Sequence, residues 1–270
     1  MTSLIFGAGG MVGSRIAHGS PGAICISRQP RPGWLVADLG RRETINLPEA
    51  EVIYCATSPI AFSMVMPEVL RRKPRRIVVI TSTSVFSKIH SEDARERADM
   101  TSLRAAEDRI IHACESAGVE WTILRPSLIY SEGRDQNVTQ IARIVRKLRF
   151  MPLYGRGTGL RQPVHAEDLG RGALAAAISP AAANRAYSTT GETITYREMV
   201  GRIFDALEMR RRFISLPPLA WNAAFAIAQP LYPGISPAMG KRMVKDLAFD
   251  SSEATADFGW QSRSFAPSFR

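Results

Sequence analysis

The sequence predicts an α/β fold in which a doubly wound parallel sheet is accompanied by a smaller, mostly helical C-terminal lobe. Two observations point to it. Short apolar runs of strand length alternate with helical periodicity over the first half of the chain, and a glycine-rich turn joins the first run to the first helix. At 270 residues, 45% hydrophobic and 22% charged, the chain is long enough to bury a full core.

Each element of the predicted sheet has its own signal. The β-branched, uniformly apolar run at 76–82 is typical of a strand covered on both faces. The apolar residues of 99–117 recur at helical spacing, and Gly118 predicts the end of that helix. The remaining strands are expected at 3–6, 23–27, 34–37, 51–56 and 120–124, with helices from Ser14 and over 59–70.

The regular alternation of strand-like and helix-like segments ends near residue 131. Three closely spaced glycines at 155–159 indicate a loop, 162–165 a short extended piece, and 167–178 a helix of small residues. From 194 onward the pattern is mostly helical and is interrupted by prolines. We therefore expect a sheet domain over 1–130 and a substrate lobe over 131–270, with about 164–190 returning to the sheet.

The glycine-rich turn carries the first functional prediction. After the strand at 3–6, Gly7, Gly10 and Gly13 have a G-x-x-G-x-x-G spacing, which differs from the more common G-x-G-x-x-G fingerprint. Residues without Cβ let the backbone approach a ligand closely, and the free N–H groups of a helix start face an anion. The pattern predicts a dinucleotide site on a Rossmann-type sheet. The alternative is a structural turn in another α/β fold.

The end of the second predicted strand bears on the choice of dinucleotide. An acidic residue there would select NAD, whereas an arginine would accept the 2′-phosphate of NADP. The chain has Ser27 and Arg28, followed by Arg31, and no acid. NADP(H) is therefore favoured over NAD(H). The alternative is that Arg28 simply points into solvent.

Charge and cysteine content narrow the function classes. The net charge of +10 favours acidic or phosphorylated ligands. The basic clusters at 71–76 and 210–212 contain no interleaved aromatic residues, so we expect solvated element ends and no nucleic-acid partner. Cys25, Cys55 and Cys114 lack metal-ligand spacing. We expect no metal, no signal peptide, no transmembrane segment and a cytoplasmic location.

Further motifs occur in the order of a known family. They are Asp38-Leu39 after the third strand, ITSTSVF at 80–86, ILRPSLIY at 123–130 and RQPVHAEDL at 161–169. Together with the glycine turn, they make the chain similar over about residues 1–180 to the extended and atypical short-chain dehydrogenases/reductases. Within these it resembles the nucleoside-diphosphate-sugar epimerase/dehydratase group. The C-terminal third matches only in general character.

The resemblance implies a bound NAD(P). The glycine turn would hold it, with Asp38 near the adenine and Ala56 near the cofactor ribose. With the second strand's end included, the candidate cofactor-binding residues are Gly7, Gly10, Met11, Val12, Gly13, Ser27, Arg28, Asp38, Leu39, Ala56, Thr57, Arg104 and Pro126.

The resemblance also implies residues on the substrate side. Ser82 falls where the family keeps its catalytic serine or threonine, which hydrogen-bonds the substrate hydroxyl or carbonyl. The substrate-binding candidates are Ser84, Arg125 beside the nicotinamide end, Asn137 near the nucleotide, and Arg161, whose guanidinium fork suits a diphosphate. His165 and Asp168 are expected to orient the Arg161 loop and cap the next helix.

The acid/base pair of the family is missing. The family has Tyr-x-x-x-Lys on the helix after the fifth strand, where the tyrosine transfers a proton and the lysine lowers the pKa of the tyrosine. When Glu107 is aligned with an acid that the family often has, Met100 and Arg104 occupy the two positions. Arg104 can still bind the ribose hydroxyls, but the thioether of Met100 cannot transfer a proton.

Two functions therefore stay open. The first is an NAD(P)-dependent epimerase, dehydratase or reductase that acts by hydride transfer on a nucleotide-sugar or similarly anionic substrate. The sequence favours it because three substrate-side positions are retained, although His90, Asp99 or a water held by Ser82 and Ser84 would have to carry the proton. The second is a catalytically silent NADP(H)-binding structural or sensor protein, similar to an accessory subunit of respiratory complex I.

Either function is compatible with a homodimer or a protein partner. The apolar segment 218–231 contains Trp221, Phe225 and Leu231 at helical spacing. We interpret it as a lobe helix packed on the core, with a docking face as the alternative.

Overall fold

The computed structural model describes residues 2–40, 46–89, 91–221 and 238–269. Its contacts divide the chain into two compact units. The first comprises the described residues of Met1–Pro126, Ala166–Thr189 and Asp250–Ser262, and the second those of Ser127–His165, Thr190–Phe249 and Arg263–Arg270. The return of the chain to the first unit at Asp250–Ser262 has no counterpart among the boundaries expected from the sequence.

The described strands are, in chain order, β1 (Ser3–Phe6), β2 (Ile24–Ser27), β3 (Leu35–Val36), β4 (Val52–Cys55), β5 (Arg76–Ile80), β6 (Glu120–Pro126), β7 (Leu128–Tyr130), β8 (Met151–Tyr154), β9 (Leu160–Arg161), β10 (Pro163–His165), β11 (Arg185–Thr189), β12 (Ile194–Thr195) and β13 (Phe213–Leu216). The α-helices with described bounds are α1 (Met11–Gly19), α2 (Pro59–Met64), α3 (Met66–Leu70), α4 (Ser84–Ser87), α5 (Ala94–Ala117), α6 (Val138–Leu148), α7 (Ala166–Ile178), α8 (Tyr196–Ala206), α9 (Ala238–Arg242) and α10 (Ser252–Phe258). Among the described residues, none of the helices is long and apolar enough to cross a membrane.

The first unit is built on a seven-stranded sheet in the order β11-β6-β5-β4-β1-β2-β3, whose described pairs are all parallel. The chain leaves β1 to form β2 and β3 on one side, and then crosses back to β4 on the other. Such a reversal next to the first strand defines a doubly wound sheet with a topological switch point between β1 and β4. The predicted fold class is confirmed.

Helices pack on the sheet and bury its central strands. Every residue of β1, β4 and β5 is buried. One core cluster joins these strands to α2, α3 and α5 through residues such as Phe62, Val69 and Ile110. Elsewhere in the unit, α1 packs closely against α7. A Cβ on Gly170 of α7 would lie only 2.6 Å from the Cβ of Arg15 of α1, so the contact requires glycine there.

Some predicted helices have different bounds from those expected, and α1 starts at Met11 instead of Ser14. The segment 59–70 forms α2 and α3 instead of one helix, with Val65 between them and Pro67 in the first turn of α3. Proline has no N–H to continue the hydrogen-bond ladder of the preceding helix, so it starts a new one. Helix α5 starts five residues before the expected position, because the carboxylate of Asp93 accepts the N–H of Arg95 at 2.8 Å and caps it.

The second unit has its own core and three small sheets. Strand β7 pairs in parallel with β10, β8 in parallel with β13, and β9 antiparallel with β12. Its core cluster includes Tyr130, Leu153, Ile203, Phe204 and Phe265. The sequence predicted mostly helix after residue 194, yet β12 and β13 are extended. The apolar segment 218–231 lies outside the described residues from 222 onward.

Arg76 is a buried cation that ties together three elements of the first unit. Its guanidinium donates to Glu120 Oε2 at 2.7 and 2.9 Å, joining the starts of β5 and β6, and to the carbonyl of Ala176 at 2.7 Å near the end of α7. The side chain is only 1% exposed. A buried charge is tolerated only when such partners satisfy its donors.

We predict that Arg76→Met lowers the free energy of unfolding by about 2–4 kcal/mol, because it leaves the carbonyls of Ala176 and Ser179 without this donor. The carboxylate of Glu120 is affected less, because Arg75 still donates to it at 3.3 Å. Urea unfolding followed by circular dichroism measures this.

The matched control is Arg71→Met. Arg71 pairs with Glu68 at 3.1 Å on the surface and its removal should cost no more than about 0.5 kcal/mol. Equal losses for the two variants would contradict the structural role of Arg76.

Arg202 on α8 forms an ion pair with Glu192 within the second unit. Its Nη atoms donate to the two carboxylate oxygens of Glu192 at 2.7 and 3.0 Å, and the N–H of Phe265 donates to the same carboxylate at 2.8 Å. The hydrogen bonds from Arg202, supported by that of Phe265, hold the pKa of Glu192 below its ordinary 4.5. A lowered carboxyl pKa stabilises the fold above the unfolded-state pKa, and this stability is lost as the pH falls through the folded-state pKa.

We predict that wild-type stability falls more steeply with decreasing pH below about 4.5 than that of Arg202→Met, because the variant has already lost the interaction that acid removes. Urea unfolding between neutral and acid pH measures the slopes. Arg197→Met on the same helix is the control, because the Arg197 guanidinium stacks 4.2 Å from the ring centre of Phe213. It should keep the wild-type slope, and a wild-type slope in Arg202→Met would refute the assignment.

Candidate functional site

The glycine turn after β1 is so tightly packed that side chains cannot fit. Gly7 has φ +80°, and a Cβ there would lie 2.5 Å from the carbonyl oxygen of Ala56. A Cβ on Gly13 would lie 2.1 Å from the carbonyl oxygen of Gly7. The N–H of Gly10 donates to that same oxygen at 2.9 Å and closes the turn. The glycines therefore let α1 start directly against the ends of β1 and β4.

The start of α1 is open to an anion. Gly10 is the N-cap, no side chain caps the helix, and its first turn contains no acidic residue. The N–H groups of the first turn carry partial positive charge and point away from the helix. Met11, Val12 and Gly13 supply these groups next to Ala56 and Thr57, at the switch point of the sheet. A backbone cradle of this shape and polarity fits the pyrophosphate of a dinucleotide.

Two candidates at the adenosine end accept hydrogen bonds from the backbone two residues further along the chain. The Ser27 hydroxyl accepts the N–H of Gln29 at 3.2 Å, and the Asp38 carboxylate accepts the N–H of Gly40 at 2.9 Å. Leu39 packs against the core of the unit. Arg28 is exposed, and its side chain makes no hydrogen bond, ion pair or ring contact within the described part of the chain.

The place of the Arg31 side chain, between Trp34 and the glycine turn, was not predicted from the sequence. Its guanidinium carbon lies 4.9 Å from the ring centre of Trp34, and its Nη2 atom lies 3.3 Å from where a Cβ on Gly9 would be. The Arg-Pro-Gly-Trp sequence is a signal that predicts this stacking, because proline followed by glycine is typical of a type II turn. Gly33 has φ +74°, and the N–H of Trp34 donates to the carbonyl of Arg31 at 3.1 Å.

Ser82 and Ser84 come together just beyond β5. The two hydroxyl oxygens are 3.0 Å apart, and the N–H of Ser84 donates to the Ser82 hydroxyl at 3.1 Å. Between them, Thr83 donates its N–H and its hydroxyl to the carbonyl of Pro126 at 3.0 and 3.2 Å. The candidate catalytic hydroxyl is therefore held beside Pro126 at the carboxyl ends of β5 and β6.

The residues predicted to occupy the family's acid/base positions lie on α5. Met100 is partly buried, whereas Arg104, one turn later on the same face, is exposed, as is Asp99. His90, the other alternative proton carrier, lies outside the described residues. No described hydrogen bond joins Met100 or Arg104 to the Ser82 hydroxyl.

Arg125 is paired with Glu107 of α5. The guanidinium donates to both carboxylate oxygens at 2.7–3.2 Å, and Glu107 is only 2% exposed. The other side of the guanidinium stacks on Phe86, 5.2 Å from its ring centre. Arg125 and Phe86 also line a cavity of about 260 Å³ in the first unit, which is small compared with the roughly 300–1,000 Å³ of drug-sized ligand sites.

The two substrate-binding candidates of the second unit differ in burial, because Asn137 is exposed and Arg161 is buried. Asn137 is exposed at the N-cap of α6 and makes no side-chain capping bond, because the buried carboxylate of Asp135 accepts the N–H groups of Asn137 and Thr139 at 2.8 and 3.1 Å. Arg161 is 5% exposed and donates to the carbonyls of Leu160, Arg242 and Lys245. Burial lowers the pKa of the Arg161 guanidinium to about 10.

His165 and Asp168 both pair with charged side chains. His165 Nε2 lies 3.3 Å from a carboxylate oxygen of Glu132 within the second unit. Although burial opposes it, the hydrogen bonds that Glu132 accepts from His165 and from the backbone lower the pKa of Glu132. Asp168, in the first turn of α7, accepts from Arg171 at 2.6 Å. The predicted roles of these two residues in orienting the Arg161 loop and capping α7 stay predictions.

The parallel sheet and the uncapped glycine turn define a protein of the dinucleotide-binding α/β class. A model of the NAD-dependent epimerase/dehydratase family matches residues 51–188, just over half of the chain. The chain belongs to the NAD-dependent epimerase/dehydratase family, which confirms the resemblance inferred from its motifs.

Individual relatives are more distant. The chain is 25% identical over 126 residues to subunit 9 of the NADH dehydrogenase [ubiquinone] 1 alpha subcomplex from Dictyostelium discoideum, a mitochondrial protein. This match spans 43% of the chain and about a third (35%) of that protein's length.

The solved structures with the same fold include two sugar-nucleotide complexes. MoeE5 in complex with UDP-glucose and NAD has a TM-score of 0.72 at 17% identity, over 98% of this chain and 94% of that one. The UDP-glucuronic acid 4-epimerase of Bacillus cereus, solved with UDP-glucuronic acid and NAD, has a TM-score of 0.73 at 13% identity, over 97% and 94%. At these identities the likeness shows the fold alone.

We predict that Gly13→Ala lowers the free energy of unfolding by about 1–3 kcal/mol and weakens dinucleotide binding, because its Cβ would overlap the carbonyl of Gly7. Gly19→Ala on the same helix is the control, since its Cβ would meet only the flexible end of Leu174. Urea unfolding and titration with reduced dinucleotide measure both effects. The cradle would be misassigned if the two variants bound dinucleotide equally well.

Proposed function

We propose that the chain binds NADP(H) through its first unit and works by that binding, as a sensor or structural protein, without the proton transfer of its family. The observation that carries the proposal is a complete glycine cradle combined with Met100 at the position of the proton-transferring tyrosine. The cradle supports affinity for the cofactor. The thioether has no proton to exchange near neutral pH, so it supports a role other than turnover.

The pairing of the two substrate-side arginines supports the same proposal. Arg125 already donates through Nε and Nη2 to the carboxylate of Glu107, which is only 2% exposed, so Nη1 is the nitrogen left for a substrate phosphate. Moving the whole guanidinium onto a substrate would leave the buried carboxylate unpaired, which costs roughly 3–5 kcal/mol. Arg161 would have to give up three backbone carbonyls. Two of the three positions that favoured an enzyme from sequence are therefore already occupied by internal partners.

A second candidate is an epimerase, dehydratase or reductase acting on a nucleotide-linked or similarly anionic substrate. The close pair of Ser82 and Ser84 hydroxyls favours it, because such a pair can hold a substrate carbonyl or a water. When bound, NADP(H) supplies or accepts the hydride. Ser82 would orient the substrate oxygen, Ser84 would orient Ser82, and Arg104 would hold the ribose hydroxyls.

The relative in Dictyostelium supports the non-catalytic candidate in another way. Its name describes a subunit of a larger NADH dehydrogenase, that is, a protein that works within an assembly. By analogy, this chain would act through a protein partner or a second copy of itself. The cytoplasmic location inferred from the sequence remains part of the proposal, consistent with the free thiols of Cys25, Cys55 and Cys114.

We predict that purified protein carries NADP(H), or binds it on titration, and does not convert nucleotide sugars. Denaturation followed by mass spectrometry and absorbance identifies and quantifies any released nicotinamide. Incubation of the loaded protein with a panel of nucleotide sugars is then followed by reduced-nicotinamide absorbance and by product masses.

The double variant Met100→Tyr/Arg104→Lys is the matched comparison, because it restores the family's acid/base pair on the same helix. Turnover in this variant and not in wild type would show that the acid/base pair is what the chain lacks. Turnover by wild type would overturn the non-catalytic proposal in favour of the second candidate. Failure to bind NADP(H) and NAD(H) alike would overturn both.

A further inference from the structure

The loop between β2 and β3 holds one arginine in a fixed position against the glycine turn. Pro30 and Pro32 flank Arg31 and restrict its backbone, and the turn closed by the Trp34 N–H brings the indole next to the guanidinium. The aromatic ring therefore covers part of the guanidinium and stabilises its positive charge, while Arg31 stays exposed.

That guanidinium reaches back to the first glycine turn. Its Nη2 atom lies 3.3 Å from the position that a Cβ on Gly9 would occupy, so the missing side chain of Gly9 makes room for it. In a doubly wound sheet, the adenosine ribose of the cofactor lies between this turn and the end of β2. Arg31 thus spans the two structures that border the ribose.

The charge around Arg31 favours an anion. Residues 28–37 contain no acidic side chain, and no ion pair of Arg31 occurs among the described residues. The nearest acid along the chain, Asp38, accepts the N–H of Gly40. A ribose bearing only hydroxyls gives such a guanidinium little to bind, whereas a 2′-phosphate gives it charge-assisted hydrogen bonds.

We propose that Arg31, stacked on Trp34, is the residue that selects NADP(H) over NAD(H) by binding the 2′-phosphate. This inference rests on the proposed cofactor binding. It differs from the sequence-based assignment to Arg28, which is exposed and has no hydrogen bond, ion pair or ring contact to orient it within the described ranges.

The experiment is a titration of the full-length protein with NADPH and with NADH, followed by calorimetry, for wild type, Arg31→Met and Arg28→Met. Adenosine 2′,5′-bisphosphate and AMP are titrated in parallel, because they differ in the 2′-phosphate alone. Arg31→Met should weaken binding of NADPH and of the bisphosphate by about tenfold to a hundredfold, the usual value of a charge-assisted contact. It should leave NADH and AMP within about twofold, and Arg28→Met should keep the wild-type preference.

The outcomes separate this inference from the proposed function. If wild type binds neither dinucleotide, the proposed function itself fails. If wild type binds NADPH and Arg31→Met keeps the wild-type ratio of NADPH to NADH affinity, the role of Arg31 is overturned while cofactor binding stands. An equal loss for both dinucleotides, or a loss of preference in Arg28→Met instead, also overturns it. Thermal unfolding of each variant checks that the fold is intact.

Discussion

The first unit depends on one close contact between backbones. Because Gly13 has no Cβ, α1 starts against the carbonyl of Gly7, and because Gly7 has none either, that turn lies against Ala56 beyond β4. A larger side chain at either glycine would push the helix away from the sheet. The same contact brings helix N–H groups to the switch point between β1 and β4, so the packing that closes the core also forms the candidate anion site.

Six of the seven described strands of the sheet were predicted from sequence, and β1, β4 and β5 gave the clearest signal because all of their residues are buried. The edge strand β11, which has exposed and half-buried residues, was not predicted as a strand. Strands β8 and β13 were not predicted, since Met151–Tyr154 pairs with Phe213–Leu216 about sixty residues later, and a four-residue strand has little local signal. The positions of Gly7, Ser82 and Arg125 follow from motifs. The pairing of Arg125 with Glu107, and of Arg161 with distant carbonyls, depends on tertiary neighbours that no motif encodes.

The net charge of +10 overstates the positive charge that is available to ligands. Arg76, Arg125 and Arg161 direct their guanidinium groups to buried carboxylates or carbonyls, where they act as cross-links between elements. Arginine suits this role because its planar fork satisfies several acceptors at once. Composition therefore indicates a basic protein, but only the structure separates arginines that hold the fold together from those, such as Arg31, that have no ion pair within the described residues.

Cofactor binding and proton transfer are built from physically separate parts, which is why one can persist without the other. The cradle is made of backbone at the ends of β1 and β4, and any loss of its glycines disturbs the packing of the core. The predicted position of the acid is a single side chain on α5, where Met100 is partly buried and makes no hydrogen bond that the structure describes. Stability therefore constrains the glycines strongly and residue 100 weakly. A member of this family can lose its acid/base pair while its fold still maintains a dinucleotide site, and that site is then free to serve binding alone.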